Sequence, residues 1–267
     1  MTLAPASAER GRAGLAFATR IADAVERLSV TVTQLRGWRR AGVAFLAGGV
    51  SAAAMAPFFL SPVLFVTLPV LVWLIDGAAD AGPSRRALFL RAASAGWWFG
   101  FGYFILGLFW IGEAFLVEAD KFAWLMPFAV LLLPAGLALF TALAAGAARL
   151  VWVPGVGRVL VLAITLSIAE WLRGHVLTGF PWNVLGYALT WPLPLMQSAS
   201  VFGIYGLTLL CVAIFGGPFV ILADVGQGAA GRRVLRAGLL AVAPLVTLYA
   251  LRAWRLAKNN EIGRAHV

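Results

Sequence analysis

The chain has little charge for its length. Charged residues make up 12% of the 267 positions and hydrophobic residues 62%, whereas soluble domains contain about 25% charged residues. The mean hydropathy is +0.91, and several uncharged runs approach the roughly 20 residues that a spanning helix needs. This composition excludes a soluble globular domain and predicts an all-α integral membrane protein.

Cysteine and catalytic motifs are also scarce. The one cysteine, Cys211, excludes an internal disulfide framework and a thiolate metal cluster. It lies in an apolar run, and apolar burial makes a thiol inert. No GxSxG, HExxH or GxxxxGK[ST] motif occurs. We therefore expect no catalytic residue, no metal site and no cofactor in this chain.

The basic residues that give the net charge of +10 lie in the N-terminal extension and in short loops. Because the basic residues lie between hydrophobic runs, as membrane topology requires, we do not expect a nucleic-acid partner. Residues 1–40 contain seven arginines, with apolar residues at helical spacing. This extension is either a basic amphipathic helix on the cytoplasmic face of an anionic membrane or a disordered tail.

Residues 41–258 form the expected transmembrane domain, with about seven spans. Pro57 divides the first uncharged run into a hairpin of two short helices. The expected spans are Ala41–Ala56, Phe58–Ile75, Ala92–Gly112, Phe122–Ala148, Val159–Leu172, Ser198–Ala223 and Ala237–Trp254.

The basic residues also predict the orientation. With the N-terminus in the cytoplasm, 15 Lys and Arg residues fall on the cytoplasmic side and five on the other. Since cytoplasmic loops carry the excess of basic residues, we expect a cytoplasmic N-terminus and a C-terminal end outside the cytoplasm.

The last residues break the apolar pattern. Residues 259–267 are expected to begin a truncated region, and Glu261–Val267 (EIGRAHV) matches the translation of a common sequencing adapter. We expect this segment to be an artefact and the natural chain to continue past Asn260. His175 is then the only histidine to consider.

The stretch 170–206 is unusual in so apolar a chain. It contains three prolines, five glycines and three tryptophans, and irregular backbone at membrane depth is tolerated only where protein or water satisfies it. We expect it to build a site. Glu170 and Arg173 either form an ion pair that reaches the interface, or Arg173, with His175, binds a lipid phosphate.

Other residues have a structural and a functional interpretation. Glu113 is either a solvated carboxylate or part of an acidic mouth that attracts an amine. Tyr103 and Trp110, seven residues apart on one face of the third span, either pack together or contact a ligand. The candidates for positioning lipid or substrate are Trp110, Glu113, Glu170, Arg173, His175, Phe180, Pro181, Trp182, Asn183, Tyr187, Gln197 and Tyr205.

Three segments carry a family resemblance. They are GWWFGFGYFILGLFWIGEAF (Gly96–Phe115), EWLRGHVLTGFPWNVLGYAL (Glu170–Leu189) and PLMQSASVFGIYGLTLL (Pro194–Leu210). In this order they resemble the apolipoprotein N-acyltransferases of the bacterial inner membrane. The resemblance covers roughly residues 41–260, and the basic extension lies outside it.

The resemblance implies a multi-pass inner-membrane enzyme. Such enzymes transfer an acyl chain from a phospholipid to the α-amino group of a lipoprotein's N-terminal diacylglyceryl-cysteine. Their Glu, Lys and Cys lie in a periplasmic nitrilase-like domain, and none of the three can be assigned to Glu261, Lys258 or Cys211. We expect this chain to be the membrane domain, a monomer that binds lipid and is inactive alone. The alternatives are a small multi-span transporter and a non-catalytic membrane partner.

Overall fold

The computed structural model describes residues 4–82, 84–224 and 229–258, and these residues form ten α-helices and no β-strand. The adapter-like segment lies outside them. The helices are α1 (Ala4–Thr33), α2 (Gly37–Ala52), α3 (Leu64–Asp76), α4 (Arg85–Gly107), α5 (Ala119–Phe122), α6 (Met126–Leu150), α7 (Gly157–His175), α8 (Leu193–Met196), α9 (Ala199–Ala223) and α10 (Ala230–Lys258).

The all-α prediction is confirmed for the described residues. Four segments are long and apolar enough to cross a membrane: Ser61–Asp80, Ala119–Leu150, Ala199–Ala223 and Ala230–Ala250. A fifth span results if α4 and the following 3-10 helix, Phe109–Leu116, count as one segment with a 45° bend. The chain is therefore a multi-span helical membrane protein. The other two expected spans correspond to the shorter helices α2 and α7.

The expected break at Pro57 is confirmed, because α2 ends at Ala52 and a 3-10 turn, Ser61–Val63, precedes α3. The expected third span is wrong at its end. Since α4 stops at Gly107 and the chain bends there, Trp110 does not lie on the helix face that carries Tyr103.

Small residues bring the central helices close together. Helix α4 packs between α2 and α6. A side chain at Gly48 of α2 would collide with the backbone of Phe99 in α4, and one at Gly96 of α4 with Thr141 of α6. Such close backbone approach is typical of helix packing in membranes.

The extension forms a helix over Ala4–Thr33, the helical one of the two expected alternatives. Helix α1 packs against α3, α9 and α10, and it buries Ala22, Ser29 and Val32. It is thus part of the bundle along its C-terminal half.

Candidate functional site

Two buried charged residues near the end of α7 support the irregular loop that follows, residues 176–192 between α7 and α8. Glu170 accepts hydrogen bonds from the Leu185 amide (2.9 Å) and from the Thr208 hydroxyl of α9 (2.5 Å). The same hydroxyl accepts a hydrogen bond from the Gly186 amide at 3.1 Å. This part of the loop is therefore tied to both α7 and α9.

Arg173 binds the other part of the loop. Its Nη1 donates to the carbonyl oxygens of Phe180 (2.9 Å) and Trp182 (2.6 Å). Its Nη2 lies 3.5 Å from the carbonyl oxygen of Asn183. The residue is only 2% exposed. Its guanidinium also lies over the Phe104 ring, 4.9 Å from the centroid. Arg173 also pairs with Glu170 at 4.0 Å, as expected for one of its two interpretations, but the pair is buried and does not reach the interface. The Arg173 donors named above contact loop carbonyl oxygens rather than a phosphate.

Asn183 ties the loop to α4. It has a positive φ of 51°, a conformation that asparagine tolerates better than most residues. Its Nδ2 donates to the carbonyl oxygen of Gly107, the last residue of α4, at 3.1 Å. The Tyr103 hydroxyl donates to the Asn183 carbonyl oxygen, also at 3.1 Å. The loop therefore has fixed contacts to three helices.

A groove of about 930 Å³ opens between this loop, the end of α2, the α2–α3 turn and the bend after α4. The volume lies near the upper end of the roughly 300–1,000 Å³ usual for small-molecule sites. Its lining residues are Gly49, Ala52, Ala53, Met55, Ala56, Pro57, Phe58, Phe59, Leu106, Gly107, Phe109, Trp110, Pro181, Trp182, Asn183, Tyr187, Thr190, Trp191 and Met196.

Two aromatic stacks join the loop to the other walls of the groove. Trp182 stacks on Trp110 of the Phe109–Leu116 helix, with ring centroids 5.1 Å apart. Trp191 stacks on Phe59 of the α2–α3 turn at 6.5 Å. Each stack thus connects the loop to a different segment of the chain.

The structure brings together five of the twelve sequence candidates in the groove: Trp110, Pro181, Trp182, Asn183 and Tyr187. Two others, Glu170 and Arg173, hold the loop through the contacts described above, and a third, Phe180, is the loop residue whose carbonyl oxygen accepts from Arg173.

The remaining four candidates do not line the groove. His175 is exposed and stacks on Trp171, with its Nδ1 2.7 Å from the Trp171 carbonyl oxygen. The His175 and Tyr205 rings lie 6.2 Å apart. Glu113 is exposed, and Gln197 is partly buried.

The α2–α3 turn was missed as part of the site. Its Met55, Phe58 and Phe59 form one wall, together with Leu106 of α4 and Trp191 of the loop. The available signal was the pair of aromatic residues, Phe58 and Phe59, directly after Pro57.

The chemistry of the site follows from its lining. The groove residues include none with a charged side chain. No cluster of His, Cys, Asp and Glu suited to a metal ion is present among the described residues. Cys211 is fully buried in α9 and does not line the groove. The site is suited to binding an apolar ligand, and its residues do not form a nucleophilic centre.

Comparisons with known proteins give a consistent result. A family model described as the apolipoprotein N-acyltransferase N-terminal domain matches residues 47–217. An apolipoprotein N-acyltransferase of Rhodopseudomonas palustris is 56% identical over 225 residues, which are 84% of this chain and 41% of that protein. One from Bradyrhizobium diazoefficiens is 53% identical over 233 residues, 87% of this chain and 42% of that protein.

The chain spans about two fifths of the length of these curated relatives. The family match covers more than half of the chain and includes α4, α7 and the groove-lining loop. The chain therefore belongs to the apolipoprotein N-acyltransferase family.

Proposed function

We propose that this chain is the membrane domain of an apolipoprotein N-acyltransferase and that its groove receives the lipid. The reaction is the transfer of an acyl chain from a phospholipid to the α-amino group of a lipoprotein's N-terminal diacylglyceryl-cysteine. The observation that carries the proposal is the apolar groove of about 930 Å³ in a chain of this family. The transporter alternative has no comparable support.

The residues divide into two roles. Trp110, Pro181, Trp182 and Tyr187 contact the lipid, since they line the groove. Asn183 both lines the groove and fixes the loop to α4. The residues that position the loop from below are Glu170 and Arg173, and Phe180 of the loop accepts a hydrogen bond from Arg173.

The topology is part of the proposal. We propose seven spans in the bacterial inner membrane over residues 41–258, with the extension of residues 1–40 on the cytoplasmic side. Arg85 and Arg86 begin α4, whereas Gly107 at its other end lines the groove. A cytoplasmic basic end therefore supports a groove on the periplasmic side. One chain supplies every wall of the groove, which supports a monomer.

Lipid binding by this chain tests the proposal. Purified chain and dioleoyl phosphatidylethanolamine are mixed in detergent, and the complex is measured by native mass spectrometry. Ala53→Trp fills the groove, because Ala53 lines it, and is expected to abolish most of the binding. Leu139→Trp is the matched control, since Leu139 is 61% exposed on α6. Equal binding by both variants would refute a lipid site in the groove.

The chemistry is tested separately. We expect lipid to bind without forming an acyl-enzyme, because the only thiol of the chain is buried. Incubation with phosphatidylethanolamine followed by denaturing mass spectrometry measures covalent adducts. An acyl adduct on Cys211 would contradict this part of the proposal.

A further inference from the structure

Helix α1 has one face on the bundle and one face away from it. It packs against α3, α9 and α10 and buries Ala22, Ser29 and Val32. The outer face of α1 consists of the exposed residues Phe17, Arg20, Arg27, Leu28 and Val30. These positions recur at separations of three, seven and eleven residues, which are close to whole turns of an α-helix. They therefore lie together on one side of α1.

The outer face mixes large apolar side chains with basic ones. Phe17 and Leu28 are exposed, although each is large and apolar. Arg20 and Arg27 form no ion pair with another described residue. Apolar side chains beside arginines are typical of a helix that lies in a membrane interface, where an arginine extends its aliphatic stem along apolar surface and keeps its charge among the head groups.

The α1–α2 turn continues this pattern at the end of a span. Arg36 pairs with Asp80 at 3.2 Å, and Asp80 is the last residue of the candidate span Ser61–Asp80. Trp38 is 79% exposed, and the Arg39 guanidinium lies over its ring at 5.6 Å from the centroid. Tryptophan is enriched where spans meet the head groups, so the turn has the composition of a membrane boundary.

The charge of this region favours an anionic partner. Between positions 14 and 40, four arginines are exposed, whereas the two acidic residues are partly buried. An acidic protein or a nucleic acid would match this charge but not the exposed apolar side chains. A membrane surface matches both. It is also adjacent, because α1 packs against three helices that belong to candidate spans.

We infer that the outer face of α1 and the α1–α2 turn form a docking surface for the anionic lipids of the cytoplasmic leaflet. Phe17, Leu28 and Trp38 enter the region of the upper acyl chains, and Arg20 and Arg27 contact lipid phosphates. The leaflet follows from the proposed topology. Helix α1 precedes the family match over residues 47–217, so membership of the family does not by itself predict this surface.

This surface is separate from the groove. The start of α2 lies beside the first half of α4, because Arg40 Nη2 is 3.3 Å from the Arg91 carbonyl oxygen. The groove lies at the other end of α4, where Gly107 lines it. The two sites therefore bind lipid independently of each other.

The test measures which lipids touch the outer face of α1 in the full chain. Leu28→Cys is labelled with a fluorophore in nanodiscs, and Cys211 does not compete for the label because it is buried. Phosphatidylglycerol and phosphatidylcholine with brominated chains quench the label from the bilayer, and iodide quenches it from water. We expect quenching by both lipids, with an apparent association constant at least fivefold higher for phosphatidylglycerol. Leu139→Cys on α6, in an uncharged run, is the control and should show no preference.

A second substitution assigns the preference to the arginines. Arg27→Gln in the labelled chain is expected to lower the preference for phosphatidylglycerol by about fivefold, the usual contribution of one basic residue near an anionic surface. Lys121→Gln is the matched control, because Lys121 is exposed but far from α1 in the chain, and it should leave the preference unchanged.

Two outcomes would overturn the inference. Quenching of the Leu28→Cys label by iodide but not by brominated lipid would show that the outer face of α1 faces water. Equal quenching by the two lipids, unchanged by Arg27→Gln, would show that the surface does not recognise anionic lipid. Neither outcome affects the groove, where lipid binding is tested by Ala53→Trp.

Discussion

The Glu170 carboxylate and the Arg173 guanidinium lie 4.0 Å apart, one helical turn from each other, and each binds a different part of the same loop. Glu170 binds the amide of Leu185, and Arg173 binds the carbonyl oxygens before it. Their side chains are 10% and 1% exposed. The pair therefore acts on the groove through the loop, without reaching the groove itself.

Replacement of Arg173 is expected to destabilise the fold strongly. Arg173→Ala leaves loop carbonyls without donors and Glu170 without its counter-charge, and breaking a buried pair in this way costs about 3–5 kcal/mol. Denaturant unfolding measures the loss, and lipid binding should fall with it. Arg36→Ala is the control, because the Arg36–Asp80 pair is 74% and 43% exposed and such pairs contribute at most about 1 kcal/mol. Similar losses in the free energy of unfolding for Arg173→Ala and Arg36→Ala would contradict the role of Arg173 as a buried support of the loop.

Thr208 is expected to matter through its hydroxyl. Thr208→Val keeps the shape of the side chain but removes the donor to Glu170 and the acceptor for Gly186. Leaving buried polar groups unpaired costs about 1–3 kcal/mol. Thr165→Val is the control, since the Thr165 hydroxyl bonds only carbonyls of its own helix. Unfolding of the two variants at the same denaturant concentration would refute the prediction.

The helices were more predictable than the site. Apolar run length located α6, α9 and α10, and Pro57 located the turn after α2. The bend after Gly107 was missed because the 3-10 helix Phe109–Leu116 is as apolar as α4, so hydropathy does not mark the change in direction.

The site depends on contacts that sequence spacing does not reveal. Asn183 and Gly107 are 76 residues apart in the chain but joined by a hydrogen bond. The stretch 170–206, which the density of prolines, glycines and tryptophans marked as unusual, contributes one wall of the groove. The burial of the Glu170–Arg173 pair was not predicted, because a basic side chain at a helix end can extend along apolar surface to water, and only the fold shows the loop that covers Arg173.

Trp182 is expected to affect lipid binding more than stability. Trp182→Ala removes the stack with Trp110 and part of the groove wall, but the residue is already 52% exposed. An aromatic pair contributes about 0.5–1.5 kcal/mol, so the unfolding midpoint should change little. Trp124→Ala provides the comparison, because Trp124 is 65% exposed and lies outside the groove. Unchanged lipid binding by Trp182→Ala would remove Trp182 from the site.

The other end of the bundle contains a cluster that is expected to be structural. Asp76 accepts hydrogen bonds from Trp152 Nε1 (2.8 Å) and Arg158 Nη1 (3.0 Å). Hydrogen bonds to charged groups contribute about 1.5–3 kcal/mol, so Asp76→Asn should lower the free energy of unfolding by this order. A double-mutant cycle with Arg158→Gln measures the coupling.

Asp80→Asn is the control for this cluster, because Asp80 pairs with an exposed arginine. Lipid binding by Asp76→Asn should remain unchanged while the protein is folded, since Asp76 does not line the groove. A coupling energy near zero between Asp76 and Arg158 would show that the ion pair does not stabilise the bundle.

The α2–α4 contact is expected to require glycine at position 48 of α2 but not at position 42 of the same helix. Gly48→Ala would place a methyl group against the Phe99 backbone, and backbone cannot yield as a flexible side chain does, so α2 must move away from α4. Overpacking of this kind costs about 1–3 kcal/mol. Gly42→Ala has open space around it and should stabilise α2 by about 0.5–1 kcal/mol, because alanine loses less backbone entropy in a helix.

In thermal unfolding, Gly48→Ala is therefore expected to lower the midpoint temperature and Gly42→Ala to raise it. The groove provides a second readout, since Gly49 and Leu106 from the two helices both line it. Displacement of α2 by Gly48→Ala should weaken lipid binding even where the protein stays folded, whereas Gly42→Ala should leave it unchanged. If both substitutions stabilised the protein, the helices would not be in backbone contact at Gly48, and the wall that α2 contributes to the groove would have to be placed differently.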